Sequence, residues 1–405
     1  MTAPLDPIHP PARLGVLGGG QLGRMFVQAA HDLGYRTVTL TSSPDDPAAQ
    51  IAHDVVLAPP DCHPGADLES LRTFAERCDA VTIEFENVHA PGVRWLGRRL
   101  PVRPGWHAVW IAQNRIREKS FLSRHGFPVP DWRPIRTQAD LHRALELPGP
   151  LILKTAASGY DGRGQIRLDH PHELDPAWSS LNRAPCIVER VVPFALEISC
   201  IVARNPQGHS AVYPVFWNQH RHHILDVTVC PAPIGPIVAA TARQIARRIA
   251  AALQIVGLLT VEFFVTPSGD LLVNELAPRP HNSGHLTIEA AETSQFSQQV
   301  RALCGLPLGS ANLRGPAAMA NLLGDLWFPH PPRWDAALAA DSAVSIHLYG
   351  KSSAKPRRKM GHLTILDADP LAAEARARAA RAALQPHKSS CPPGRSVSPN
   401  LPGSS

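Results

Sequence analysis

The chain has 405 residues, more than one hydrophobic core ordinarily serves, and at ~150 residues per domain it divides into two or three with a cleft between them. Its net charge of +6 and pI near 9.1 come from scattered basic residues rather than a run, which excludes a nucleic-acid tract and leaves a mild attraction for small anions such as phosphates. Seven cysteines, odd in number, far apart and without a Cys-x-x-Cys, exclude a disulfide scaffold and structural zinc; no apolar run nears the ~18 residues of a membrane span, and no basic-then-apolar leader follows Met1. The expectation is a soluble, cytoplasmic protein.

Taken in chain order, a short apolar strand over 14–17 runs into Gly18-Gly19-Gly20-Gln21-Leu22-Gly23, followed by a helical pattern over 24–33 and a strand over 37–40. This is a βαβ opening. A strand over 80–84 leads into Phe85-Glu86-Asn87, so the first ~115 residues read as a doubly wound α/β domain. The spacing Gly18-x-Gly20-x-x-Gly23 raises dinucleotide binding, but the second strand ends in Leu40-Thr41-Ser42, where an acid should meet the ribose. What survives is an anion site at a helix start.

Beyond a helix over 115–125 and a loop over 128–134, strands are expected at 151–154, 186–190, 197–202, 259–265 and 271–275, with a long helix over 239–253. This middle part is α+β with antiparallel hairpins. Smaller strands follow at 318–323, 345–349 and 362–366, and from Gln385 onward Ser, Pro and Gly dominate, the composition of a disordered tail. The expected boundaries are a Rossmann-like domain over 1–115, a central domain over 116–313, a small β-rich domain over 314–385 and the tail over 386–405.

The strand over 151–154 ends on Lys154 and opens into Gly159-Tyr160-Asp161-Gly162-Arg163-Gly164-Gln165. Three glycines let the backbone fold closely over a polyphosphate, and Lys154 adds a fixed charge. The competing reading is an ordinary hairpin turn with exposed charges. Glu262 and Glu275 lie on two apolar strands joined by Pro267-Ser268-Gly269-Asp270. If those four residues are the loop, Thr266 faces Leu271 and the two glutamates stand opposite each other, an arrangement that calls for a divalent cation. A register slipped by one residue would instead put one glutamate in solvent.

Glu189 and Glu197 flank the turn Val191-Val192-Pro193-Phe194, where backbone groups suit an adenine edge and a carboxylate suits ribose hydroxyls. His220, within Asn-Gln-His-Arg-His-His, reads by itself as a solvated loop histidine. The run Arg279-Pro280-His281-Asn282-Ser283-Gly284-His285 crowds polar side chains into a stiffened exit from the strand. Lys351, Arg357, Arg358 and Lys359 are either a solvated charge run or a phosphate clamp.

Together, Gly-Gly-Gly-Gln-Leu-Gly-Arg-Met at 18–25, Glu-Phe-Glu-Asn-Val at 84–88, the glycine loop, Asn-Glu-Leu-Ala-Pro-Arg-Pro-His-Asn-Ser-Gly-His at 274–285 and Arg-Lys-Met-Gly-His at 358–362 resemble the ATP-grasp superfamily. Within it they resemble the 5-(carboxyamino)imidazole ribonucleotide synthases of purine biosynthesis, from position 14 to about 385. The resemblance implies an ATP-grasp fold with an N-terminal Rossmann-like (pre-ATP-grasp) domain and a small C-terminal β-rich domain. It further implies ATP-dependent carboxylation of aminoimidazole ribonucleotide by bicarbonate through carboxyphosphate. A sibling ligase of the same superfamily, such as a formate-dependent transformylase, is the alternative.

By the same resemblance Arg115 and Lys154 hold ATP phosphates, residues 159–165 form a lid, and Glu189, Arg190, Val191, Val192 and Glu197, with His220 and Asn274, hold the adenosine. Glu262 and Glu275 hold Mg²⁺ or Mn²⁺. The ribonucleotide meets Gly20, Gln21, Arg279, His281, Asn282, Ser283, Lys351 and Arg358, and the catalytic group comprises Lys154, Tyr160, Asp161, Arg163, Arg279 and His281. His281, His285 and Asp161 are candidate proton acceptors. A homodimer and a separate mutase that takes the product are the implied partners. The sequence departs from its relatives at Ala156-Ala157-Ser158, often basic or glycine-rich elsewhere, and in its tail.

Overall fold

The computed structural model describes residues 6–157 and 164–385. Most of the glycine loop, Ser158 to Arg163, and the tail from 386 lie outside the described residues.

Strands β1 (Arg13–Leu17), β2 (Arg36–Thr41), β3 (Asp54–Leu57) and β4 (Ala80–Ile83) form a parallel sheet in the order β3-β2-β1-β4. Helices cover both faces of such a sheet, which is why its strands read as apolar runs with Leu14, Val16 and Leu17 wholly buried. The helix Gln21–Asp32 starts three residues earlier than its apolar pattern suggests, because Gly20 caps it and the glycine motif is already its first turn.

A second sheet is antiparallel, in the order β5-β8-β6-β7, from β5 (Trp132–Ile135), β6 (Leu151–Thr155), β7 (Gln165–Leu168) and β8 (Cys186–Arg190). β5 occupies part of the stretch expected as loop; Pro134 sits on this edge strand, where its missing N–H breaks no ladder.

The third sheet carries β9 (Leu196–Arg204), β10 (Ser210–Val212), β11 (Phe216–Arg221), β12 (Ile224–Cys230), β13 (Gly257–Val265), β14 (Leu271–Ala277), β15 (Ala317–Leu323), β16 (Ser345–Leu348) and β17 (Lys359–Leu366). Its order is β14-β13-β9-β11-β12-β15-β17-β16, with β10 on β9. The three C-terminal strands therefore prolong the central sheet through the β12–β15 ladder. The helix Pro236–Ala252 covers one face, burying Ala242, Ile245, Ala246 and Ile249 against Ile198, Cys200 and Val261. The helix Gln295–Cys304 instead turns Phe296, Val300 and Leu303 toward Leu14, Phe26 and Ala30 of the first sheet's core. Its C-cap, Gly305, takes φ 71°, a left-handed turn that glycine adopts without strain.

The β13–β14 hairpin corrects the expected register. Val265 faces Leu271, so the loop is Thr266–Asp270, one residue longer than expected, closed by Thr266 N–H to Asp270 O at 2.9 Å. The ladder then shifts between Glu262 and Phe263: Phe263 pairs with Val273, Glu262 with Glu275, and Asn274 is the extra residue. The slip and the bulge cancel.

Candidate active site

A cleft of ≈ 1020 Å³ opens between the three sheets. Small-molecule sites commonly reach about 1,000 Å³, so this one has room for a nucleotide and a second substrate. The second sheet contributes Lys154, Gln165, Glu189 and Arg190, the turn after it Val191 and Val192, and the third sheet Glu197, His220, Glu262, Asn274 and Glu275. Gln21, Arg115, Arg279, His281 and Asn282 also line it. Residues dispersed over most of the chain thus share one wall system.

At its floor is a buried charge chain. Glu189 lies between two lysines, with Lys154 Nζ 2.6 Å from Oε2 and Lys119 Nζ 2.9 Å from Oε1. Burial works against its negative charge, but the two ammonium groups overcome this and hold its pKa down to about 2. The carboxylate of Glu189, a residue expected on the adenosine side, is thus engaged by lysines in this structure and is only 2% exposed.

Lys119 also donates to the carbonyls of Val273 (3.1 Å) and Asn274 (2.8 Å), and its neighbour Glu118 accepts from Leu276 N–H at 3.1 Å. Burial, reinforced by Glu275, pushes Glu118 up to about 8, against the pull of Lys119. Neither residue was singled out from the sequence. The available signal was helical spacing: Arg115, Glu118 and Lys119, at i, i+3 and i+4 on the helix Arg115–Arg124, share one face.

Arg115 begins that helix, which Asn114 caps through Ile116 and Arg117 N–H, and its guanidinium donates to Thr155 O at 3.1 Å. Gly164, with φ 69°, closes the described end of the loop by accepting from Thr155 N–H at 2.9 Å. A Cβ there would stand 2.6 Å from the Thr155 hydroxyl and would force that side chain to move, on a backbone already at positive φ. Gly159, Tyr160, Asp161, Gly162 and Arg163 lie outside the described residues.

Glu262 and Glu275 face each other on one side of β13 and β14. Glu262 receives His281 Nε2 at 2.8 Å. Burial opposes its charge, yet His281 and, farther off, His220 hold its pKa low. Glu275 is open to the cleft, but the surrounding protein strips away water and Glu262 repels its charge, so its pKa rises. One acid is paired with a histidine and the other is repelled by its neighbour's charge, an arrangement that suits a hard cation with oxygen ligands.

His220 departs from its solvated-loop reading. It lies on β11, with Nδ1 3.1 Å from Glu197 Oε2. Desolvation lowers its pKa, but the Glu197 contact outweighs this and the net shift is upward. The turn of that hairpin is His222 and His223, both at positive φ.

The exit from β14 is arranged by side-chain pairing. Arg279 makes a two-pronged contact to Glu86, and Asn282 exchanges amide hydrogen bonds with Asn321 at 3.1 and 2.8 Å. Ser283, expected at the ribonucleotide, has no exposed surface; it bridges Ser199 Oγ (2.8 Å) and His281 Nδ1 (2.8 Å) and so orients the imidazole. His285 is likewise sealed, and burial keeps it neutral with a pKa well below 6.5. That removes it from reach of a substrate proton in this structure, leaving His281 among the described candidates.

The glycine motif also differs from expectation. Glu84, just past β4, accepts from Gly20 N–H at 2.7 Å and Gly23 N–H at 2.9 Å. The anion at this helix start is the chain's own carboxylate, which leaves Gly20 N–H engaged and a dinucleotide phosphate without its donors. Gln21, one residue on, still faces the cleft. Lys351 and Arg358 do not line the main cleft. Lys351 sits near Glu84 and donates to Lys359 O at 2.6 Å; burial and the adjacent Arg358 push its pKa down to about 8. Arg358 donates to Ser353 O at 2.8 Å.

Among the described residues no cluster of three or more His, Cys, Asp or Glu has metal-holding geometry, and no helix is long and apolar enough to cross a membrane.

Comparison with known proteins matches this arrangement along the chain. Residues 12–113 match the ribonucleotide synthetase preATP-grasp domain, 120–296 the ATP-grasp domain, and 317–377 the phosphoribosylaminoimidazole carboxylase C-terminal domain. The N5-carboxyaminoimidazole ribonucleotide synthase of Bacillus subtilis is 38% identical over 365 residues, covering 89% of this chain and 92% of the relative. The crystal structure of N5-carboxyaminoimidazole synthetase from Staphylococcus aureus complexed with ADP superposes with TM-score 0.85 at 34% identity, covering 93% of this chain and 99% of that one. The Aspergillus clavatus synthase, in complex with ADP and 5-aminoimidazole ribonucleotide, superposes with TM-score 0.82 at 30% identity, covering 92% and 98%. The chain belongs to the N5-carboxyaminoimidazole ribonucleotide synthase family of ATP-grasp ligases.

Proposed function

We propose that this protein carboxylates 5-aminoimidazole ribonucleotide with bicarbonate at the expense of ATP, giving N5-carboxyaminoimidazole ribonucleotide, ADP and phosphate. The observation that carries this reading is one cleft that gathers Lys154, the facing acids Glu262 and Glu275, and the polar run Arg279 to Asn282, in a chain similar over most of its length to synthases with ADP and aminoimidazole ribonucleotide complexes.

Bicarbonate is a poor electrophile. A bicarbonate oxygen attacks the γ-phosphorus of ATP, the bond to the β-phosphate oxygen breaks, and ADP leaves carboxyphosphate behind. The exocyclic amine of the ribonucleotide then takes the carboxyl carbon, phosphate departs, and the amine proton goes to a base. Phosphoryl transfer asks chiefly for positioning and charge neutralisation. Lys154 and Arg115 supply positive charge toward the phosphates.

Glu262 and Glu275 would hold Mg²⁺ or Mn²⁺, which would offset the negative charge of the phosphates. Arg190, Val191 and Val192 with Glu197, His220 and Asn274 form the adenosine side. Arg279, His281 and Asn282 with Gln21 face the ribonucleotide; Lys351 and Arg358, outside the main cleft and held by main-chain carbonyls, would have to turn toward it to meet its phosphate. Ser283 acts by orienting His281. His281 is the proton acceptor this reading selects. A cytoplasmic homodimer handing its product to a separate mutase completes the proposal, with the domain boundaries near 115 and 313.

The test is phosphate release from ATP with and without bicarbonate and aminoimidazole ribonucleotide, repeated on Glu275→Ala. Turnover that needs both substrates and drops at least ~100-fold in the variant is expected for loss of a preorganised charge site. Formate dependence would transfer the reading to a sibling ligase, and full turnover in Glu275→Ala would remove the metal assignment.

A further inference from the structure

The residue that brings Glu275 into line with Glu262 is a bulge on an edge strand. β14 pairs only with β13, so its outer main-chain groups have no ladder, and a bulge on an unpaired edge has little of its own to fix its geometry. Here the outer edge is held by side chains and one carbonyl from the segment 118–128. Val273 N–H donates to Pro128 O at 2.8 Å. Val273 O and Asn274 O accept from Lys119 Nζ, and Leu276 N–H donates to Glu118 Oε2. The peptide groups on both sides of Glu275 are therefore tied to one helical turn. That turn is itself buried: Glu118 is 3% exposed and Lys119 1%.

The same lysine reaches Glu189, and Glu189 reaches Lys154. One unbroken polar chain thus runs from the Glu275 peptide on the third sheet to the lysine beside the glycine loop on the second. A Lys–carboxylate pair serving packing alone would need no main-chain partners on a bulge.

We infer that Glu118 and Lys119 are positioning residues for nucleotide-bound metal: by holding the bulged 273–276 segment they set the Glu275 carboxylate opposite Glu262 and in register with Lys154. Glu118 acts as a hydrogen-bond acceptor of fixed reach, not as a charge. This rests on the assignment of Glu262 and Glu275 as metal ligands.

Two conservative substitutions separate reach from charge. Glu118→Gln keeps an acceptor oxygen at the same distance from Leu276 N–H and gives up the charge. Glu118→Asp keeps the charge and withdraws the oxygen by about 1.5 Å, one carbon–carbon bond. The measurement is Mn²⁺ binding to the full-length protein in the presence of ADP, followed by water-proton relaxation, with the thermal midpoint recorded on the same samples to confirm folding. Glu118→Gln is expected within about threefold of wild type and Glu118→Asp weaker by about 10–100-fold, the range for outer-shell partners of metal ligands. Asp binding as well as or better than Gln, or both matching wild type, overturns the inference. Glu275→Gln is measured alongside: undiminished Mn²⁺ binding there removes the metal assignment itself, whereas weakened binding there with the wrong Gln/Asp order overturns only the positioning role. Should Glu118→Asp not fold, Lys119→Arg supplies the second comparison; its planar fork cannot reproduce a point donor to two carbonyls and Glu189, and binding equal to wild type overturns the inference.

Discussion

Glu262 and Glu275 stand directly across from each other because Asn274 is one residue too many for the ladder. The pairing of Glu275 across the bulge, rather than the identity of residue 274, therefore decides which way Glu275 points. Asn274→Ala preserves the count and is expected to keep folding and most phosphate release, losing only what the amide itself contributes. Deleting Asn274 makes Glu275 the residue after Val273, still opposite Glu262 in a ladder without a bulge; it removes the Asn274 carbonyl that Lys119 holds and is expected to lower turnover by no more than about 10-fold. A loss in the deletion variant as large as that in Glu275→Ala would contradict the register argument.

Glu189 neutralises two buried lysines at once. Removing one partner from a buried pair leaves an uncompensated charge, typically costing about 3–5 kcal/mol. Glu189→Gln is expected to lose stability of that order in urea unfolding. Glu189→Gln combined with Lys119→Met, which also removes the stranded charge, should recover part of it. If the double variant is less stable than Glu189→Gln, the lysine's main-chain contacts outweigh its charge.

The carboxylate of Glu84 caps the glycine turn through Gly20 and Gly23 N–H. Its own pKa is raised by burial, which the two N–H donors only partly offset. Glu84→Ala leaves a buried N–H unpartnered and is expected to destabilise the chain by about 1–3 kcal/mol. It should also raise the KM for the ribonucleotide more than that for ATP, since Gln21 belongs to the same turn. A matching rise in both would place the effect on the whole cleft instead.

His285 and His362 are wholly buried, with ring centroids 5.0 Å apart, and His362 Nδ1 meets the Tyr349 hydroxyl at 3.0 Å. Burial first, then the neighbouring imidazoles, keeps both pKa values well below 6.5. The unfolded chain binds these protons near pH 6.5 and the folded chain does not, so stability is full above that pH and falls below it. Each group contributes a slope of up to about 1.4 kcal/mol per pH unit. Urea unfolding between pH 7 and 5 should show this slope, and His362→Phe should reduce it by one proton's share. An unchanged slope in the variant would mean other groups titrate.

Much of the molecule was legible from local pattern. The apolar runs at 14–17, 186–190 and 259–265 became strands because buried strands demand such side chains whatever lies beside them. The facing of Glu262 and Glu275 was also legible, though through a route the chain does not take: the loop is one residue longer and the bulge restores the pairing. No local signal marks that bulge, since its outer edge is stabilised by Glu118 and Lys119, about 155 residues away.

The sequence by itself determined which chemistry was present: the glycine turns, the lysine at a strand end, the paired acids, and the polar run at 279–285. These are properties of residue type and spacing, and short-range geometry expresses them directly. Only the tertiary structure decided which polar groups face substrate and which are engaged by the chain itself. It gave Gly20 N–H to Glu84, Glu189 to two lysines, and Ser283 and His285 to the interior, because a buried polar group takes the nearest complementary partner in space, and that partner is seldom near in sequence.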